Sequence, residues 1–583
     1  MESTSSPCAA KAPAISPRAA RNLFLLVLAA ATGGYLFYIW HNSFLVGGKR
    51  FFSLFDDAMI SMRYARNLAD GHGLRWNAGD PPVEGYTNLL WTLYMACIHL
   101  LPIAISKTSL AVMLTGAGVL IGNLFVVKGI AEELAPEDRL MQVAAVFLTA
   151  CYYPLIYWTL RGMEVGVLSL FTLLGVLLVF RLERKWSGGA LGLLAAVLAA
   201  ALLTRPDAVV PAALITLFLL IAGWRQGVRG GLLVVPLVLV AVCAGLVAFR
   251  MAYYGEPVPN TYYLKVGGVS LWERVSRGVT VLVEEILYHF WPVLLVAAAG
   301  LVRHPRQFLC SRWGLLLGLI AAQAAYSVYV GGDAWEWMNF ANRYLAIVAP
   351  LLFLLAARAV TILVPADGKL LNTLLPFLGL GLLFHAGQLA SKGEKNAAII
   401  LGALAVLMTV GGALFAFWNN RARFAPVLAA LAPLLCIAIT MNFFGYAAWL
   451  TGKNNGFLTK VDAESTRFGL QLKETLDKST TIAVVWAGAI PYFSELRCID
   501  LLGKSDPVIA KGKPHLPFWP GHNKWDYAYS IRTYHPDVIL GLWKATEEDK
   551  AMVLNAGYLF LNNMYYSKEY MARLPVKAPP APK

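Results

Sequence analysis

Long apolar stretches recur along the first 450 residues of this chain, and they constrain its fold more than anything else in the sequence. They lie near Asn22–Phe44, Thr108–Ile130, Leu140–Leu160, Val165–Phe180, Ala190–Leu203, Ala208–Gly223, Leu232–Met251, Thr280–Val302, Trp313–Val330, Tyr344–Val364, Leu370–Ala390, Ala397–Trp418 and Pro426–Leu450. A bilayer core takes roughly 20 helical residues to cross, so the pattern predicts an all-α polytopic membrane protein with about thirteen spans, some of them short. With 58% hydrophobic and 14% charged residues and a mean hydropathy of +0.59, the chain is excluded from the soluble globular class. Lys11, Arg18 and Arg21 precede the first stretch, which is too long for a signal-peptide core. Residues 1–21 are therefore expected to be a cytoplasmic tail before an uncleaved span.

A net charge of +15 would suggest a nucleic-acid partner in a soluble chain. Here Lys and Arg sit mainly in short connections, where they set orientation, and no nucleic acid is expected. Asn88–Ile105 is ambiguous between a span and an interfacial or re-entrant segment. If it does not cross, the loops beginning at Arg181, Trp224, Arg303 and Asn419 all fall inside, as the positive-inside rule prefers. With that choice Asp56 and Asp57, the RGME turn (Arg161 to Glu164), TRPD (Thr204 to Asp207), YYGEPVPNTYYLK (Tyr253 to Lys265) and GGDAWEWMNFANR (Gly331 to Arg343) gather on the outer face. Charges at membrane depth cost about 2.5 to 3.5 kcal/mol each, so a collection of this kind points to a site built from several outer loops.

The first of these loops is the most distinctive. In LFDDAMISMRYARNLADGHGLRWNAGDPPVEGYTNLLW, Ala58, Met62, Ala65 and Ala69 recur at helical spacing, while Arg63, Arg66, Asn67 and Asp70 share another face. This predicts an amphipathic helix on the membrane surface, capped by Ser53 or Asp56 and ended at Gly71. Carboxylates in its first turn sit at the positive end of the helix dipole and stay ionised; they can serve only as a cap, or accept a proton.

Residues 22–450 thus read as a membrane module and 451–583 as a soluble extracytoplasmic α/β domain. In the latter, Glu464–Lys478 and Thr546–Ala556 read as helices and TIAVVWAG (from Thr481) and PDVILG (from Pro536) as buried strands. The loop PFWPGHNKWDYAY, from Pro517, is rich in aromatics that stack on sugar faces or pack the loop itself. Cys97, Cys151, Cys243 and Cys436 fall in apolar stretches and leave no disulfide framework or CxxC site.

The run DDAMISMRYARNLADGHGLRWNAGDPPVEGYTNLLW resembles the first outer loop of bacterial C-type (GT-C) glycosyltransferases, in particular mycobacterial terminal arabinofuranosyltransferases and Gram-negative relatives that modify pilin. GME at Gly162, RPD at Arg205, GEPVPNTYYLK at Gly255, the GGD and NRY pieces at Gly331 and Asn342, and WAGAIPYFSELRCIDLLG at Trp486 extend the likeness over most of the chain. The resemblance implies a multi-pass protein of the bacterial inner membrane with interfacial helices in its first outer loop. It implies transfer of a sugar, arabinofuranose first among candidates, from a polyprenyl phosphate of decaprenyl or undecaprenyl type to a glycan or pilin acceptor outside the cytoplasm.

Such chemistry needs a base for the acceptor hydroxyl, cations for the departing phosphate and an apolar groove for the lipid. Asp56, which matches the family's leading acidic residue, is the first choice for the base and Asp57 the second. Glu164 shares that role, orients the sugar, or only caps the next span. Lys265, Arg205 and Arg343 are candidate phosphate ligands or interfacial anchors. Arg63, Tyr64 and Asp333 complete the expected substrate-binding set. Asp56, Asp57 and Glu164 could instead hold a divalent cation, whereas the scattered histidines have no ligand spacing. Two other readings remain at this stage: a flippase of lipid-linked sugars, which should show paired inverted halves, and a carbohydrate-binding scaffold.

Overall fold

The structure, a computed structural model, describes residues 15–228, 230–309, 311–336, 342–366, 425–451 and 455–573, with a few positions between 379 and 410. Among the described residues, eight helices are long and apolar enough to cross a membrane: Pro17–His41, Ile105–Leu134, Val165–Arg184, Pro206–Arg225, Val234–Tyr254, Leu271–Arg303, Arg312–Val330 and Arg343–Leu363. A ninth crossing is available from Arg139–Cys151 and Tyr153–Leu160, which meet at a 50° bend where Pro154 opens the second piece. The expected spans at Leu370–Ala390 and Ala397–Trp418 lie outside the described residues. Gly188–Thr204 is apolar but shorter than a full crossing, and Ala425–Thr451 is helical with Pro433 inside it.

Burial shows which helix is the axis. In Arg343–Leu363, 94% of the apolar stretch is buried, against 28% in Pro17–His41 and 17% in Val234–Tyr254. The last two therefore present most of their surface outward, where a bilayer satisfies it, and the axial helix is surrounded by protein. Leu89–His99, in the ambiguous segment, has only 11 residues and is too short to cross. The connections that alternate with the helices then cap one end of the bundle together.

The connection after the first long helix begins with a hairpin, β1 (Phe44–Val46) and β2 (Lys49–Phe51), and continues into the helix Asp56–Ala69. Its apolar face packs as the periodicity requires, with Ala58, Met62 and Ala65 fully buried. At Arg63 the polar face is covered too, in part by residues more than 420 positions away. Arg63 donates to the Leu496 carbonyl at 2.8 Å, to the Trp76 carbonyl and Asn77 Oδ1 at 2.6 Å each, and to the Pro491 carbonyl.

Beyond the long helix Asn455–Thr475, the C-terminal region forms a five-stranded mixed sheet in the order β4–β3–β5–β7–β6. Its strands are β3 (Thr481–Val484), β4 (Arg497–Asp500), β5 (Val538–Ile539), β6 (Tyr558–Leu561) and β7 (Met564–Ser567). β4, β3 and β5 run parallel, while β7 pairs antiparallel with both β5 and β6. Open sheets of this kind offer the carboxyl ends of their parallel strands to ligands. Here the loops leaving β3, β4 and β5 carry Trp486, Lys504 and Trp543.

Candidate active site

The acidic pair begins the helix Asp56–Ala69, whose N-cap is Phe55 with no side-chain cap bond. Neither expected cap is used. The Ser53 carbonyl accepts from Arg161 Nη1 at 3.0 Å and its hydroxyl from Thr466 at 3.1 Å, which ties the chain to the RGME turn instead. Gly162 makes that turn with φ +84°, and a Cβ there would lie 2.6 Å from Leu54. Successive helical residues point about 100° apart. Asp56 and Asp57 accordingly face two different spaces.

Asp57 lines a cleft of about 710 Å³ bounded also by Asn88, Glu164, Arg205, Lys265, Asp333, Arg343, Lys504 and His522. The expected residues Glu164, Arg205, Lys265, Asp333 and Arg343 thus do converge. Asp57 accepts from Lys504 Nζ at 2.6 Å and from Arg343 Nη1 at 3.1 Å. Arg343 also grips Asp333 bidentately at 2.6 and 2.7 Å. Burial opposes the charge on Asp57, but Lys504 and Arg343 hold its carboxyl well below the usual carboxylate range. Burial likewise works against Asp333, and Arg343 overrides it.

Arg205 is held as firmly. It donates to Glu164 at 2.8 Å and to both Asp207 oxygens at 2.7 and 2.9 Å, while Glu164 also accepts from Asn88 at 2.8 Å. Arg205, Lys265, Arg343 and Lys504 thus line the cleft, and Asp57, Glu164, Asp333 and the adjoining Asp207 answer them. Among the described residues Lys265 has no ion-pair partner. It rises from the short helix Asn260–Val266, beside Gly521.

Asp56 faces a second cavity, of about 980 Å³, lined by Phe55, Trp335, Asp462, Ser465, Trp486, Trp519, His522 and Trp543. Its Oδ1 accepts from the Ala489 N–H at 2.8 Å, and Oδ2 is buried with no hydrogen-bond partner among the described residues. Burial pushes this carboxyl up to about 6, against the pull of Lys504. Gly488 lets the WAG turn come this close, since a Cβ there would sit 1.9 Å from the Asp56 carbonyl oxygen. His522 belongs to the walls of both spaces, so they adjoin there.

Two expected ligands are placed elsewhere. Arg63 is consumed by carbonyls of the C-terminal region, because its face of the helix is docked against protein. The Tyr64 hydroxyl donates to the Val83 carbonyl at 2.7 Å and accepts from the Gly85 N–H at 3.1 Å, so it shapes the loop before Asn88 without lining the cleft. Conversely, Lys504, His522 and Asp462 were not singled out by the sequence reading. Lys504 directly follows the quoted WAG…LLG run, and His522 lies in the aromatic loop.

The divalent-cation alternative meets a donor set already spent on cations and amides. Asp57 is paired with Lys504 and Arg343, Glu164 with Arg205 and Asn88, and Asp56 faces the other cavity. Among the described residues no three His, Cys, Asp or Glu side chains are grouped as metal ligands. These residues do not fit a metal, and no step is assigned to one.

Residues 458–573 match a family described as a domain of unknown function, DUF8728. A terminal beta-(1->2)-arabinofuranosyltransferase of Mycobacterium tuberculosis is 28% identical over 347 residues, 54% of this chain and 53% of that protein. The protein of the same name from Corynebacterium glutamicum is 29% identical over 289 residues, 44% of this chain and 40% of that one. The chain thus spans about half the length, or less, of these curated relatives. The crystal structure of ArnT from Cupriavidus metallidurans superposes with a TM-score of 0.53 at 12% identity, covering 83% of this chain and 86% of ArnT. From eight or nine helices long and apolar enough to cross a membrane among the described residues, loops gathered over one end and this superposition, the chain has the C-type membrane glycosyltransferase fold.

Proposed function

We propose that this chain moves a sugar, arabinofuranose first among candidates, from a polyprenyl phosphate to an acceptor on the extracytoplasmic face of the bacterial inner membrane. Residues 22–450 supply the membrane module, and 451–583 supply the domain that closes the site. The observation that carries this reading is the convergence of four cations on one cleft, of which Lys265 forms no ion pair among the described residues, while Arg205, Arg343 and Lys504 each do. A phosphate there gives Lys265 a direct partner. The sequence likeness to arabinofuranosyltransferases and the undecaprenyl phosphate bound by ArnT in a second crystal structure support the same assignment.

In this reading the donor phosphate lies against Lys265, with Lys504 and Arg343 adding positive charge where the leaving group gains negative charge. Arg343 is aimed by its fork on Asp333, and Lys504 by Asp57. Asp56 is the base. Its Oδ2 takes the proton of the acceptor hydroxyl, the freed oxygen bonds to the anomeric carbon, and the carbon–oxygen bond to phosphate breaks with both electrons going to phosphate. Asp57 suits the role less, because a carboxylate held far below its ordinary range by two cations is a weak proton acceptor. Glu164, bound to Arg205 and Asn88, keeps the cleft wall in place.

The test uses the purified chain in lipid nanodiscs with labelled polyprenyl-phosphoryl arabinofuranose. Acceptor-dependent release of polyprenyl phosphate is expected. Movement of intact lipid across a vesicle bilayer, with no release, would instead favour the flippase reading, and binding without turnover the scaffold.

A further inference from the structure

We infer that the tryptophan-lined cavity beside the cleft is a subsite for a neutral saccharide, which makes the acceptor a glycan. Its four indoles come from separate parts of the chain: Trp335 from the loop before the axial helix, Trp486 and Trp543 from the carboxyl ends of β3 and β5, and Trp519 from the loop between. They touch one another in a continuous arc. Trp335 stacks on Trp486 at 6.5 Å, Trp486 meets Trp543 edge-on at 5.8 Å, and Trp543 lies 5.6 Å from Trp519. Two are fixed by their own N–H groups, Trp519 donating to the Ala334 carbonyl at 2.9 Å and Trp543 to the His522 carbonyl at 3.1 Å.

An apolar wall alone would suit a lipid tail as well. The polar atoms decide between them. Asp56 is 8% exposed and His522 4% exposed, and each keeps one buried atom, Asp56 Oδ2 and His522 Nε2, without a hydrogen-bond partner among the described residues. His522 Nδ1 lies 3.1 Å from the Pro520 carbonyl, which can only accept, so the proton sits on Nδ1 and Nε2 is an acceptor. Burial keeps this imidazole neutral, pushed down to about 3. The cavity therefore offers two buried acceptors without donors beneath an arc of aromatic faces. Hydroxyl groups supply such donors and the C–H faces of a sugar ring cover indoles; an isoprenoid chain would leave both acceptors unpaired at a cost. A saccharide hydroxyl at Asp56 Oδ2 is also the one to be deprotonated. Calling the saccharide an acceptor rests on the transferase reading; its binding does not.

The experiment is saturation-transfer NMR on the full chain in nanodiscs with a methyl glycoside of a neutral arabinofuranosyl disaccharide and no donor. Ring protons should receive saturation from the wild-type protein, and the effect should fall at least fivefold in Trp486→Ala and in Ser465→Phe, which fills the cavity while keeping all four indoles. Farnesyl phosphate should not displace the disaccharide. The inference is overturned if the disaccharide shows no saturation, if Ser465→Phe retains it, or if farnesyl phosphate removes it and so claims the cavity for the lipid. Because no donor is present, this result can fail while transfer stands, and stand while transfer fails.

Discussion

Asp56 and Asp57 are adjacent in sequence, share one helical turn and have the same chemistry, yet the protein treats them oppositely. Asp57 is paired with two cations; Asp56 forms no ion pair among the described residues and keeps one oxygen unclaimed there. Burial acts on both. Two direct ion pairs answer it at Asp57, whereas at Asp56 the pull of Lys504 does not overcome it, and on the proposed reading this separates a carboxylate that holds other groups in place from one poised to take a proton.

The sharpest way to break this contrast is to remove each charge alone. Asp56→Asn should lower acceptor-dependent release of polyprenyl phosphate by about 10² to 10⁴, the usual worth of a positioned base, with the Michaelis constant for the donor little changed. Asp57→Asn should instead raise that constant, because Lys504 and Arg343 lose their anchor; if Asp57→Asn were the more damaging to kcat, the two roles would have to be exchanged. Next in size is Lys265→Met. A charge-assisted hydrogen bond contributes about 1.5 to 3 kcal/mol, so donor affinity should fall roughly 10- to 150-fold, measured by competition with unlabelled polyprenyl phosphate.

The pH dependence probes the same pair without mutation. A base must be deprotonated to act, and the Asp56 carboxyl is raised to about 6. Below that value kcat/KM should rise about tenfold per pH unit and then level off, while Asp57, held far lower, contributes no inflection in that range. A profile that stays flat from pH 4.5 to 7 would remove Asp56 from the role. The smallest effect concerns support of the site. Arg63→Met leaves several buried carbonyls without donors and should cost about 1 to 3 kcal/mol, seen as a lower unfolding midpoint of the full chain with the donor Michaelis constant unchanged at low temperature.

Much of the cleft was legible in the sequence because of how helical membrane proteins are wired. Glu164, Arg205, Lys265, Asp333 and Arg343 each follow or precede an apolar helix, and loops two crossings apart must return to the same side. Once one loop was placed, the others had to join it. The crossing helices were legible for a related reason, since length and apolarity define them. Tertiary docking was not. Arg63 on the polar face of an amphipathic helix reads as facing water or headgroups, and only the arrival of Leu496 and Pro491 turns it into a tie between regions. Lys504 sits 447 residues from Asp57, and no local pattern shows that separation closing to 2.6 Å. Nor can spacing tell two neighbouring aspartates apart when their difference is a rotation about the helix axis.

The ion pair between Lys504 and Asp57 has a bearing on biosynthesis. During translation the first loop leaves the ribosome long before the sheet that covers it, so the cleft is complete only once both have been made and Lys504 has reached Asp57.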